Sequence, residues 1–116
     1  MANACLFIGF SRPVSGKESE AFQLLMGEAL SALEGFQKEG WFERYDVLGL
    51  TPHCGTLSGF ILLQGERAKL DELRRTDAFE RVSMRMSRVL DGFGVIPGVT
   101  LEGMRKVLQR NQDLFK

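Results

Sequence analysis

Two short runs, Ala4-Cys5-Leu6-Phe7-Ile8-Gly9-Phe10 and Leu57-Ser58-Gly59-Phe60-Ile61-Leu62-Leu63, are apolar at odd and even positions alike. Successive side chains on a strand point to opposite faces, so strands of this kind want cover on both sides. The pattern between and after them alternates with helical spacing. Ser15 with Glu18 reads as a capping box, and Phe22, Leu25, Met26, Ala29, Leu33 and Phe36 follow at helical intervals. This predicts a helix over 16–39, with Gly40 as its stop. Trp41 to Leu50 reads as a strand with charge on both faces (Glu43, Arg44, Asp46), which suits an edge. The turn Thr51-Pro52-His53-Cys54-Gly55 leads into the second apolar run, which ends at Gln64-Gly65.

The next segment reads as a helix with a break. Leu70 and Leu73 belong to a short first piece, and Asp77 with Glu80 marks a second start. Phe79, Val82, Met86, Val89 and Leu90 then form one apolar face that ends at Gly92. Phe93 to Pro97 predicts a last strand, placed at an edge by its proline. Thr100 caps a final helix, about 100–113, whose Leu101, Met104, Val107 and Leu108 form one stripe. The order β-α-β-β-α-β is the split β-α-β pattern of an α+β, ferredoxin-like domain spanning 1–116, with a C-terminal helix added. Its strand order is 4-1-3-2, and the two doubly apolar runs then fall at the centre. Strands one and three, read as parallel neighbours, would bring Cys5 and Cys54 to the same end of the sheet.

Both main helices of such a domain cover one face. The aliphatic set Leu6, Ile8, Phe10, Leu57, Ile61 and Leu63 is expected beneath them. Phe7, Phe60 and Leu62 then face away, and several large apolar side chains in one bare patch are unusual for a monomer. Either the C-terminal helix folds back over them or a second copy does. The expectation is a homodimer with Phe7, Phe60 and Leu62 at its interface.

The stretch Pro52-His53-Cys54-Gly55-Thr56-Leu57-Ser58-Gly59-Phe60-Ile61-Leu62-Leu63-Gln64-Gly65, with Leu70, Leu73, Phe79 and Val89-Leu90-Asp91-Gly92, resembles the dimeric α/β-barrel superfamily. It looks closest to uncharacterised bacterial proteins of that group. The resemblance implies two ferredoxin-like units packed sheet to sheet as a dimeric α/β barrel. Other members of the superfamily are small monooxygenases of antibiotic biosynthesis, haem-degrading oxygenases, and lactone isomerases or decyclases. The haem degraders hold iron with a helix-borne histidine, whereas His53 is the only histidine here and lies in a turn. No catalytic residue carries over, because fold does not confer function.

The 116 residues carry 15 basic and 15 acidic side chains, so no global charge draws nucleic acid or a membrane surface. No apolar run reaches the roughly 20 residues of a membrane span. The N-terminal segment has no basic region ahead of its apolar stretch, so no signal peptide and a cytoplasmic location are expected. Cys5 and Cys54 then read as reduced, structural thiols. They and His53 lack the spacing and fourth ligand of a metal site, so neither metal nor cofactor is expected. The basic stripe Arg81, Arg85 and Arg88 reads as a solvated helix face balanced by neighbouring acids.

Candidate chemistry is sparse. His53 and Tyr45 are the catalytic candidates, and Trp41, Tyr45, His53 and Met86 the candidates for binding a small apolar or aromatic ligand between the sheet and the second helix. Two functions from different classes follow. One is a small-molecule binding or assembly module with no chemistry. The other is a cofactor-free oxygenase or isomerase acting on a small, partly aromatic substrate. A tightly filled space between sheet and helix would count against the second.

Overall fold

A computed structural model describes residues 2–112. Strand β1 (Ala4–Phe10) leads through a turn at Gly16 into one helical rod. The rod comprises α1 (Glu18–Gln23), a π-helical stretch (Leu24–Ala29) and α2 (Leu30–Lys38). Strands β2 (Arg44–Gly49) and β3 (Gly59–Gly65) follow, then α3 (Arg67–Leu73), α4 (Asp77–Val89), β4 (Gly94–Val99) and α5 (Leu101–Arg110). The end of the last helix expected at 113 lies outside the described residues.

Local chemistry explains most of these boundaries. The rod ends in a Schellman motif: Trp41 N–H donates to Phe36 O at 3.1 Å and Gly40 N–H to Gln37 O at 3.0 Å. Gly40 adopts the left-handed conformation this requires, φ 87°. At its start the capping box does not form. The helix begins three residues beyond Ser15, and Glu18 reaches back to the Gly16 N–H at 3.3 Å instead. The break between α3 and α4 is made by Thr76, whose Oγ1 accepts from Phe79 N–H at 3.2 Å and donates to Leu73 O at 2.8 Å. Thr100 caps α5 as expected, accepting from Gly103 N–H at 3.1 Å.

The sheet order is β2-β3-β1-β4, which puts the two doubly apolar strands at the centre and the charged and proline-bearing strands at the edges. One topological expectation is corrected. β1 and β3 are antiparallel, with Cys5 opposite Gln64 and Phe10 opposite Gly59. The β2–β3 connection reverses the chain, while the rod returns it, so β1 runs with β2 and against β3. Cys5 and Cys54 therefore lie toward opposite ends of the sheet.

The covered face is the core. Ala4, Leu6, Ile8, Phe10, Ile61 and Leu63 pack with Ala21, Ala29, Leu33 and Phe36 of the rod, Leu70 and Leu73 of α3, and Phe79, Met86 and Val89 of α4. No polar or charged residue is buried among the described residues. Phe22 and Met26, expected to face the core, are 66% and 52% exposed. The π-helical stretch, which follows Phe22 and contains Met26, widens the turn, so Ala21 rather than Phe22 points inward. The rod is tied to α4 at its surface by Arg85, whose Nη1 donates to both carboxylate oxygens of Glu28 at 2.8 and 2.7 Å. Both groups are solvated, so Arg85→Ala is expected to lower stability by only about 0.5 kcal/mol in urea unfolding.

Candidate functional site

The register defines the opposite face of the sheet residue by residue. Leu48, Phe60, Gly9 and Gly94 form one cross-strand row, then Asp46, Leu62, Phe7 and Ile96, then Arg44, Gln64, Cys5 and Gly98. The middle of this face is apolar and its β2 rim carries a charge pair, Arg44 Nη2 to Asp46 Oδ2 at 3.2 Å. The Phe7 and Phe60 rings stack at 5.0 Å between centroids. Gly9 makes room for this: a Cβ there would come within 2.7 Å of the Phe7 ring and 3.3 Å of Leu57. Leu57 was expected beneath the helices. It precedes β3, so strand alternation does not bind it, and its side chain joins the open face instead.

Among the described residues, no helix covers this face. α5 is held at the end of the sheet through Gly103, where a Cβ would collide with the Asn3 carbonyl oxygen. Thr100 Oγ1 adds a hydrogen bond to Ala2 O at 3.1 Å. At 100° per residue, Leu101, Met104 and Leu108 lie about 100–160° around the helix from Gly103. All three are exposed, so the predicted stripe faces away from the body of the chain, while Val107 turns toward the Gly103 side. The molecule is correspondingly thin, with principal extents of 54 × 37 × 19 Å. Its radius of gyration is 15.8 Å, against about 13 Å for a compact chain of this length.

The side chains singled out for chemistry sit in three separate places. His53 lies in the exposed loop beyond β2, on the rim of an open bowl of about 700 Å³ shared with Ser11, Arg12 and Asp91. Its Nδ1 accepts from Gly55 N–H at 2.9 Å and its Nε2 donates to Leu57 O at 2.7 Å. Both ring nitrogens thus brace the loop, and the two bonds select the Nε2–H tautomer. His53→Ala is expected to lower stability by about 1 kcal/mol and to speed hydrogen exchange at Gly55 most of all. Unchanged exchange at Gly55 would show that the imidazole does not hold the loop.

Tyr45 is on the covered side of β2 near the other end of the sheet, edge-on to Phe42 at 5.9 Å and 82°. Trp41 packs against the core at the end of the rod. Met86 is buried in that core. The space between sheet and helices, lined by Ile8, Leu33, Phe36, Ile61, Phe79 and Met86, holds only about 20 Å³. That is short of the hundreds of Å³ a ligand pocket needs. The structure therefore does not bring Trp41, Tyr45, His53 and Met86 together. Among the described residues, no three His, Cys, Asp or Glu side chains converge on a point, and no helix is long and apolar enough to cross a membrane.

One feature had no sequence signal. Arg67, Lys106 and Arg110 meet with Asn3, Gln109, Val99 and Val107 around a cleft of about 400 Å³ between α3, β4 and α5. These residues are far apart in the chain, and only the docking of α5 beside Asn3 assembles them.

The architecture defines a ferredoxin-like α+β protein with one bare sheet face. Solved structures share it. A conserved protein from Methanosarcina mazei Go1 is 20% identical over 85% of this chain and 92% of its own, with a TM-score of 0.60. A dimeric ferredoxin-like protein of unknown function from Jannaschia sp. CCS1 is 13% identical over 84% and 97%, with a TM-score of 0.63. SnoaB, a cofactor-independent oxygenase from Streptomyces nogalater, is 10% identical over 86% and 92%, with a TM-score of 0.54. At these identities the likeness is one of fold. No family model matches the sequence, and no curated protein matches it.

Proposed function

We propose that this chain is a homodimeric binding and assembly module, two copies stacking their open sheet faces into an α/β barrel. The observation that carries the reading is the apolar centre of that face, where Phe7, Phe60 and Leu62 are half-buried and Ile96 is 58% exposed. Burying such side chains contributes about 1.5–3 kcal/mol each before the cost of association. The exposed stripe of α5 (Leu101, Met104, Leu108) offers a partner a second apolar contact. The dimeric ferredoxin-like relative by fold is compatible with this arrangement.

The oxygenase-like reading draws support from the fold of SnoaB alone. It needs a pocket between sheet and second helix, where only about 20 Å³ is free. The module reading is therefore preferred. Light scattering at micromolar concentration is expected to give twice the 13.0 kDa of the chain. A mass of one chain would overturn the proposal.

A further inference from the structure

We infer that the cleft between α3, β4 and α5 is a binding site for a small organic dianion, of which a phosphate monoester is the type. Among the described residues three cations line it, Arg67, Lys106 and Arg110, and no carboxylate does. None of the three belongs to an ion pair among the described residues, whereas Lys17, Arg44 and Arg85 each have an acidic partner. The chain as a whole is neutral, so this excess is local. Lys106 and Arg110 stand at i and i+4 of one helix, a like-charge spacing that weakens a helix unless something neutralises it.

The cleft is also partly preorganised. Arg67 is held on one side, its Nη2 donating to Gly98 O at 3.3 Å. Its remaining guanidinium N–H groups are left for a ligand, in the fork geometry that suits phosphate or carboxylate. Asn3 Oδ1 accepts from the Arg67 backbone N–H at 3.1 Å, which leaves the Asn3 Nδ2 donors without a protein partner among the described residues. Gln109 adds a second amide, and Val99 and Val107 give the cleft an apolar wall. Cations, amide donors and an apolar side together fit a doubly charged head on a short apolar body. No aromatic ring among the described residues lines the cleft, so they offer no platform for stacked bases, and a small molecule rather than a nucleic acid is the occupant. The site is independent of the dimer reading, because none of its cations stands on the open sheet face.

The test is a titration of the full chain, followed by calorimetry and amide NMR, with phenyl phosphate, succinate, inorganic phosphate and neutral phenol. Phenyl phosphate is expected to bind more tightly than inorganic phosphate, and phenol not to bind. The largest amide shifts are expected at Arg67 and along Gly103–Arg110. The double variant Lys106→Gln/Arg110→Gln removes two exposed charges and is expected to bind about tenfold more weakly or worse. Its mass by light scattering should equal that of the parent chain, and Lys106→Arg should keep binding. Succinate binding as well as phenyl phosphate would assign the site to dicarboxylates within the same dianion class. Undiminished affinity in the double variant, shifts centred elsewhere, or no binding at millimolar phenyl phosphate or succinate would each overturn the inference.

Discussion

Leu63→Ala is expected to destabilise the fold by about 3–4 kcal/mol, and Leu62→Ala by less than about 1 kcal/mol in the isolated protomer. The two residues are neighbours on β3, and the difference comes only from which way each points. Leu63 is fully buried, directly across from Leu6, which is equally buried. Removing three carbons there costs the transfer free energy of those atoms and also leaves a cavity that the rod, α3 and β1 cannot collapse into without losing other contacts. Leu62 lies across from Phe7 on the open face, where water or a partner fills the gap. Urea unfolding at several protein concentrations separates the effects. The Leu63→Ala loss should appear as a lower midpoint at every concentration with the slope unchanged. Any loss from Leu62→Ala should grow with concentration, because it acts on association. Equal losses for the two variants would mean that the faces are wrongly assigned.

That alternation was legible in the sequence because it follows from backbone geometry alone. Leu6, Ile8 and Phe10, then Ile61 and Leu63, could be placed on one face from their spacing, and all are buried. The caps at Thr100 and Gly40 were legible for a similar reason, since each depends on one residue type at one position. What failed depended on how elements meet. The antiparallel β1–β3 pairing was available from chain-direction logic, because a hairpin between β2 and β3 forces it once β1 runs with β2. The exposure of Phe22 and Met26 was not, because nothing in Leu24–Ala29 marks a π-helical turn by composition. The candidate site fared worse. Tyr45 and His53 were singled out by chemical type, but one lies on the covered side near the start of β2 and the other in the loop beyond its end. Arg67, Lys106 and Arg110 carry no motif and become neighbours only through the close approach of Gly103 to Asn3.

Phe60→Asp is expected to convert the proposed dimer to monomers at micromolar concentration while leaving the protomer folded. Phe60 stacks on Phe7 at the centre of the open face, so in a sheet-to-sheet dimer it is excluded from water on all sides. The substitution removes the apolar contact, about 2–3 kcal/mol, and places an unpaired carboxylate in the interface, which costs several kcal/mol more. At 1.4 kcal/mol per factor of ten, the dissociation constant should rise about a thousandfold or more. The protomer loses less, chiefly the ring stacking, about 1 kcal/mol, because Phe60 is half-buried on the open face and not part of the core. Circular dichroism should show an unchanged fold, and light scattering should show 13.0 kDa. The parallel variant Leu108→Asp tests α5, whose stripe could by itself join two copies without the sheets. Loss of the dimer in Leu108→Asp but not in Phe60→Asp would place the interface on the helix and overturn the stacked-sheet arrangement. Loss in Phe60→Asp, with or without an effect of Leu108→Asp, supports it. The sheet offers the stacked pair Phe7 and Phe60, whereas the exposed stripe of α5 offers only Leu101, Met104 and Leu108, so the sheet is expected to carry most of the association.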